Sequence, residues 1–248
     1  MPDEGVNYLN YLNMIENVCN YNDLTYFKSH PDYTYVLEHT GDGDGHEYLN
    51  LIKKRTKITD GEIKAFCSLN DSVGNPKKSD YGFINTSPSN LRYIFHSHLI
   101  LSHMSSLKLP VLNVVELGGG YGGLALSLDF FSKSYGVRIN SYKIIDLKAP
   151  TDLQKLYLSK VNPKMKVEFV DAASFGKGIQ VKNAFLISNY CFSELSDDLR
   201  EKYVTNLFPK VAHGFMCWNM IPLYNFGFNV RDETEYPMTG ELNKYLYF

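Results

Sequence analysis

The 248-residue sequence predicts an α/β fold: a mainly parallel sheet with helices on both faces, an antiparallel strand at its C-terminal end, and a helical region in front. Three observations carry that expectation. An apolar run, Val111-Leu-Asn-Val-Val115, passes through Glu116 into the glycine cluster 118–123 and then into a leucine-patterned helix. Three later apolar runs each end in a polar residue, at Asp146, Asp171 and Asn189. Ahead of them, residues up to about 106 show helical spacing and capping signals instead.

In chain order, Val6 to Asn20 place Leu9, Leu12, Ile15 and Val18 on one side of a helix. Asp23 to Phe27 reads as a short helix or turn, and Tyr33 to Glu38 fits helix or strand equally. Gly41-Asp-Gly-Asp-Gly-His46 has the alternating acids of a calcium loop, but its twelfth position is Lys53 where a bidentate Glu is needed. A turn before a helix over 47–54 is expected there instead. A helix follows over 59–68, capped by Thr59 or Asp60, and Leu69-Asn-Asp-Ser-Val-Gly-Asn-Pro76 has the composition of a loop. Ser87 and Pro88 open a long helix to Ser105, Ser as its cap and Pro in its first turn. His96, His98 and His103 share it, the first and last on one face.

The strand over 111–115 lacks alternation, as a parallel strand covered on both faces should. The turn after it needs glycine because its backbone angles are closed to other residues and because a ligand must lie against bare main chain. Two ligands suit it. Gly118, Gly120 and Gly123 match the dinucleotide pattern G-x-G-x-x-G, whereas Glu116, Gly118, Gly120 and Gly122 match the acid-x-G-x-G-x-G turn that holds S-adenosylmethionine. Strands are expected over 141–146, 166–171 and 184–189, with their polar ends lining the crevice where open α/β sheets bind ligands. A helix over 196–208 turns Leu199, Tyr203, Val204 and Leu207 to the sheet. A fifth strand over 214–220 ends near Asn219, and 230–236 with 245–248 form an antiparallel pair closing the sheet.

The series of acid, glycine turn, Asp146, Asp171 and Asn189 resembles the class I, Rossmann-like, S-adenosylmethionine-dependent methyltransferases. Ser188-Asn-Tyr-Cys-Phe-Ser-Glu-Leu195, with Asn70-Asp-Ser-Val-Gly-Asn-Pro76 and Ser87-Pro-Ser-Asn-Leu-Arg-Tyr93, looks like the sugar O-methyltransferase family of bacterial and giant-virus glycan loci. That likeness runs from about Tyr35 to the C-terminus. It implies a helical cap over 1–106 that shapes the acceptor pocket and a cofactor-binding domain over 107–248. Glu116, Gly118, Gly120 and Gly122 would cradle the methionine part of S-adenosylmethionine, Asp146 the ribose, and Asp171 with Ala172 the adenine edge. Asn189 and Tyr190 would complete the cofactor site at the fourth strand tip. The Arg92 guanidinium is placed to take the methionine carboxylate, and Asn70 and Asp71 suit neighbouring sugar hydroxyls.

A sugar hydroxyl attacks poorly until its proton is removed, so a base is expected. Glu194 is the first candidate, its pKa raised if Tyr190 and Phe192 shield it. Asp71 and His98 are the others. No ligand spacing indicates a divalent ion, although one held by acids of this loop would change the assignment. The net charge of −2 supplies no basic field for nucleic acid, and Lys53 to Lys57 reads as a solvated helix end. No apolar run suits a membrane span or a secretory signal. Cys19, Cys67, Cys191 and Cys217 are scattered as reduced thiols of a cytoplasmic protein would be. The 19 Tyr and 15 Phe lend slight support to a sugar acceptor. Two other readings stand beside this one: a nicotinamide-dependent oxidoreductase or epimerase of nucleotide sugars, and a methyltransferase fold that binds a partner without turnover.

Overall fold

A computed structural model describes residues 2–38, 40–109 and 112–248, with backbone alone for 2–4. The chain divides into two compact units. One comprises Met1–Leu99, Gly120–Phe131 and Asp152–Pro163; the other comprises Ile100–Gly119, Ser132–Thr151 and Lys164–Phe248.

The first unit is helical. α1 (Pro2–Asn20) buries Tyr11, Met14 and Ile15, while Leu9 is 59% exposed. The buried stripe is therefore rotated from the expected one, because the aromatic Tyr11 and the long Met14 bring more apolar surface inside than Leu9 would. α2 (Pro31–Leu37) resolves the ambiguous segment as helix, with Pro31 in its first turn and the His30 ring accepting the Asp32 amide at 3.3 Å. α3 (Asp42–Arg55) begins five residues earlier than the expected helix over 47–54. Its glycines suggested a turn, but Asp42 and Asp44 meet the positive end of a helix, and the Asp44 carboxylate accepts the Gly41 amide at 2.9 Å. α4 (Asp60–Asp71) starts on a reciprocal Thr59–Glu62 cap and continues through Asn70 and Asp71, which were expected in a loop. α5 (Pro88–Ser106), α6 (Gly123–Phe131) and α7 (Lys148–Val161) lie wholly or largely in this unit.

The second unit holds a seven-stranded sheet. Its strands are β1 (Leu112–Leu117), β2 (Ile139–Asp146), β3 (Val167–Asp171), β4 (Ala184–Asn189), β5 (Val211–Trp218), β6 (Arg231–Thr234) and β7 (Lys244–Tyr247). Val111, expected to open β1, lies outside the described residues, and the strand runs on through Glu116 to Leu117. The spatial order is β3-β2-β1-β4-β5-β7-β6; β1 to β5 are parallel and β7 runs antiparallel to both its neighbours. That order, with the antiparallel strand inserted between the fifth and sixth, is the class I methyltransferase version of the Rossmann-like fold.

Register keeps the strand tips level. Glu116 stands opposite Ile144 on β2 and Ile187 on β4, Asp146 opposite Asp171, and Asn189 opposite Cys217. The order reverses at β1, so the crevice of the sheet opens between β1 and β4. β5 ends at Trp218, which leaves Asn219 one residue past the tip instead of inside the strand.

Beyond β4 come α8 (Cys191–Glu194) and α9 (Asp197–Asn206). Phe192 on α8 is buried with its ring centroid 5.3 Å from Phe208, 6.2 Å from Trp218 and 6.1 Å from Phe226. Those rings belong to the core formed by Val115, Leu117, Leu186, Met216 and Leu246 from the sheet and by Tyr203 and Leu207. Phe192 therefore fixes a four-residue helix too short to hold itself. Phe192→Ala should lower unfolding free energy by about 3–5 kcal/mol, read from the midpoint and slope of urea denaturation followed by far-ultraviolet circular dichroism.

Candidate active site

The site is built where β1 meets its neighbours. Gly118 has φ +73°, a left-handed backbone that favours glycine, and a Cβ there would stand 2.4 Å from the Cβ and 2.6 Å from the Sγ of Cys191. Two independent constraints thus exclude any side chain. The next amide, Gly119 N–H, donates to Asp146 Oδ2 at 2.9 Å, while Leu147 N–H donates to Asp146 Oδ1 at 2.8 Å. Asp146 therefore clamps the β1 turn to the β2 tip. Asp171, exposed at the β3 tip, accepts the Ala173 amide at 2.8 Å and so starts the turn over Ala172–Ser174.

At the β4 tip, Asn189 is partly buried and Tyr190 takes a left-handed backbone with φ +62°. For a tyrosine this conformation costs about 1–3 kcal/mol. The Tyr190 amide donates to the Cys217 carbonyl at 2.9 Å, and its hydroxyl donates to the carboxylate of Glu235. Ser188 caps α8 from inside, its hydroxyl oxygen accepting the Phe192 amide at 2.9 Å. Glu194 closes α8 and accepts from Asn219 Nδ2 at 2.8 Å. Glu194 is exposed: Phe192 turns into the aromatic core and Tyr190 is tied to Glu235, so the shielding expected of them is not there.

The electrostatics of these tips are one-signed. Burial pushes the half-buried Cys191 thiol up, and Asp146 and Glu194 push it the same way. Burial also raises the Tyr203 hydroxyl, with Cys191, Asp146 and Asp171 adding to it. Glu116 itself is 2% exposed, and its Oε2 accepts from the Tyr142 hydroxyl at 2.9 Å. Burial lifts its carboxyl to about 8, against the hydrogen bond of Tyr142, and Asp146 adds to the rise. It is a neutral acid at pH 7. Among the described residues no group of three or more His, Cys, Asp or Glu is disposed to hold a metal ion, and no helix is long and apolar enough to cross a membrane.

The other sequence candidates belong to the helical unit. Gly120 (φ +55°) and Gly122 (φ +96°) continue the turn there; the Gly120 carbonyl accepts Gln154 Nε2 at 3.0 Å, and a Cβ on Gly122 would meet Leu158 at 3.2 Å. Asp71 is occupied on both oxygens, by the Thr86 hydroxyl at 2.7 Å and the Ser87 amide at 3.3 Å on one, and by Asn90 Nδ2 at 2.7 Å on the other. Its geometry is that of a bracket between α4 and the start of α5. Arg92 is buried, and its guanidinium reaches the Leu37 carbonyl at 3.4 Å. Burial, and then Arg55, lower the His98 imidazole below its ordinary value. Structure gathers Glu116, Gly118, Asp146, Asp171, Ala172, Asn189, Tyr190 and Glu194 in the sheet unit and leaves Asp71, Arg92, His98, Gly120 and Gly122 in the other.

Three groups went unseen in the sequence. Cys191 lay inside a motif but gave no sign that it fills the space above Gly118. Glu235 sits 45 residues from the tyrosine it binds. Lys28 is 3% exposed, donates to the Asn70 carbonyl at 2.7 Å and to Asn70 Oδ1 at 2.8 Å, and lies over the Tyr121 ring at 4.4 Å. Burial lowers its ammonium to about 7. No local signal marks any of these contacts.

No family model matches the chain, and no curated protein matches it. Solved structures similar to it include the methyltransferase domain of bacterial CtHen1-CN, at 12% identity and TM-score 0.45, covering 62% of this chain and 96% of that one. The N-methyltransferase NodS from Bradyrhizobium japonicum WM9, in complex with S-adenosyl-L-homocysteine, aligns at 10% identity and TM-score 0.45, covering 61% and 83%. A SAM-dependent methyltransferase from Aquifex aeolicus aligns at 17% and 0.41, covering 55% and 80%. With TM-scores below 0.5, none of these likenesses bears on function, and the fold class rests on the strand order.

Glu116 makes stability depend on pH. Its folded value of about 8 exceeds the ordinary 4.5, so between those values the folded chain keeps a proton that the unfolded chain has released. The contribution is complete below pH 4.5 and disappears as pH rises through 8. Within the window each pH unit should cost about 1.4 kcal/mol. Urea midpoints at pH 5.5, 6.5 and 7.5 should fall in step for the parent chain, and Glu116→Gln should remove that component of the slope.

Proposed function

We propose that the sheet unit binds S-adenosylmethionine and that the chain methylates a hydroxyl of a sugar. One observation carries the choice of ligand: the Gly119 amide of the glycine turn is given to Asp146, and acids converge around Cys191 at the strand tips. A dinucleotide brings a doubly negative pyrophosphate, which needs such amides free and would meet Asp146 and Glu194 as like charges. A ligand with a sulfonium and an ammonium group is attracted by the same set.

The residues fit that ligand. Bare main chain at Gly118 and Gly119 offers a surface against which the methionine part can lie. Asp146, a carboxylate held at the β2 tip, suits the paired hydroxyls of a ribose, and Asp171 with the Ala172 backbone suits the adenine edge. When bound, the cofactor supplies a methyl group on positively charged sulfur, which passes to an oxygen nucleophile as the carbon–sulfur bond breaks and its electron pair stays on sulfur. Glu194, anchored by Asn219, takes the hydroxyl proton of the acceptor. The carboxylate of Glu194 and the amide of Asn219 also make a pair suited to neighbouring hydroxyls on one sugar ring. The motifs shared with sugar O-methyltransferases support the same acceptor class.

Calorimetry of the purified chain should show S-adenosylhomocysteine binding, weakened by Asp146→Ala by about 1.5–3 kcal/mol, roughly 10- to 150-fold. Mass spectrometry of a glycan panel incubated with S-adenosylmethionine should find one ring gaining a methyl group, and Glu194→Gln should slow that transfer at least about 100-fold. Tight retention of NAD(P), with no heat from S-adenosylhomocysteine, would sink the proposal in favour of the oxidoreductase reading.

A further inference from the structure

Two costly features of the sheet unit meet at one hydrogen bond. Tyr190 at the β4 tip holds a left-handed backbone that glycine would adopt freely. Glu235, in the connection between β6 and β7, is 0% exposed, although a carboxylate surrenders its solvation on burial and an amide of the same shape would surrender far less. The Tyr190 hydroxyl donates to Glu235. Neither feature is required by the strand order.

The segment around Glu235 is tied to itself. Thr239 brings its hydroxyl to 3.0 and 3.1 Å from the two carboxylate oxygens and its amide to 3.2 Å from Oε2. Asn243 Nδ2 donates to the Thr239 hydroxyl at 3.3 Å, and the Glu235 amide donates to the Asn243 carbonyl at 2.9 Å. Residues 235–243 thus form a compact arm that presents one buried carboxyl group to one phenol. On the opposite side of Tyr190, its carbonyl accepts the Ser193 hydroxyl at 3.2 Å, and the next residue, Cys191, fills the space above Gly118. A shift of the Tyr190 ring would therefore be transmitted through one peptide unit to the glycine turn.

We propose that Glu235 is a positioning residue for methyl transfer, which through Tyr190 locks the arm 235–243 to the β4 tip so that the Tyr190 ring forms the face against which the acceptor sugar lies. The inference rests on the reading of the site given above and deepens it. Tyr is suited to the task, since an aromatic face meets the C–H groups of a pyranose while its hydroxyl is anchored elsewhere. Glu235 accepts from the Tyr190 hydroxyl and from the hydroxyl and amide of Thr239 at once, whereas a glutamine would turn an NH2 group toward one of these donors.

The experiment uses the full chain, with S-adenosylhomocysteine as the probe and Tyr190→Phe and Glu235→Gln as variants that preserve shape. Calorimetry should give Glu235→Gln an S-adenosylhomocysteine affinity within threefold of the parent. Hydrogen exchange should slow at Gly118–Gly119 and across 235–243 when the parent is saturated, but only at the glycine turn in Tyr190→Phe. With the acceptor found by the glycan panel, each variant should raise acceptor KM or lower kcat at least 20-fold, and the double variant should lose no more than the worse single one. Equal protection of the arm in parent and variant, an arm indifferent to the probe in the parent, additive losses, or unchanged transfer overturns the inference while the cofactor reading stands. No binding of the probe by the parent chain takes down both.

Discussion

The sheet unit depends on a close approach with no room for a methyl group, that of Gly118 to Cys191. Because residue 118 lacks a side chain, the end of β1 can turn back under the start of α8, and the following amide comes within reach of Asp146. The tips of β1, β2 and β4 are thereby joined by one packing contact and one charge-assisted hydrogen bond. Phe192 supplies the opposing force, since its burial among Phe208, Phe226 and Trp218 presses α8 down on the turn. An alanine at 118 would have to take φ +73° and displace Cys191, so strain and clash would add.

Gathering acids at this point would be self-defeating if all were charged. Two unit charges 4 Å apart interact by about 4 kcal/mol at the effective dielectric near a protein surface. Glu116 escapes that cost by staying protonated: burial and the nearby Asp146 raise its carboxyl, and the Tyr142 hydroxyl satisfies it. The negative field then comes from groups with access to water, Asp146, Asp171 and Glu194, where a cationic ligand could be met. Glu116 itself lies buried at the end of β1, with the Tyr142 hydroxyl on its Oε2.

Much of the sheet was legible because parallel strands write themselves as apolar runs, and four of them end in residues that stand at the tips: Glu116 with Leu117, Asp146, Asp171 and Asn189. What failed was local. At 41–46 the glycines outweighed Asp42 and Asp44, whose value lies in a helix dipole that exists only once the helix does. At 69–71 the loop composition hid a helix end stabilised from a distance, by the Asp71 bonds to Thr86 and Asn90. In α1 the period was right and Ile15 is buried as expected, but the stripe is shifted toward Tyr11 and Met14 and away from Leu9, a choice that only tertiary packing makes. The Tyr190–Glu235 pair was invisible for a simpler reason: a contact between residues 45 apart leaves no period.

Cys191 bears on how a methyl group would travel. A thiol beside a bound sulfonium is the obvious place to look for a covalent relay, in which the protein accepts the group and passes it on. Such a relay needs a thiolate, and thiolates form next to cations or helix N-termini of low burial. Here burial and the carboxylates Asp146 and Glu194 push the opposite way, so the sulfur stays protonated and non-nucleophilic. Its place against Gly118 makes it filler, with a size set by the gap. On the proposed reaction the methyl group must then pass directly from sulfur to the acceptor oxygen in a single displacement. Two substrates must be present together for that step, so alignment and not nucleophile strength carries the rate. A rigid, strained β4 tip held by a buried carboxylate is what such a requirement would select.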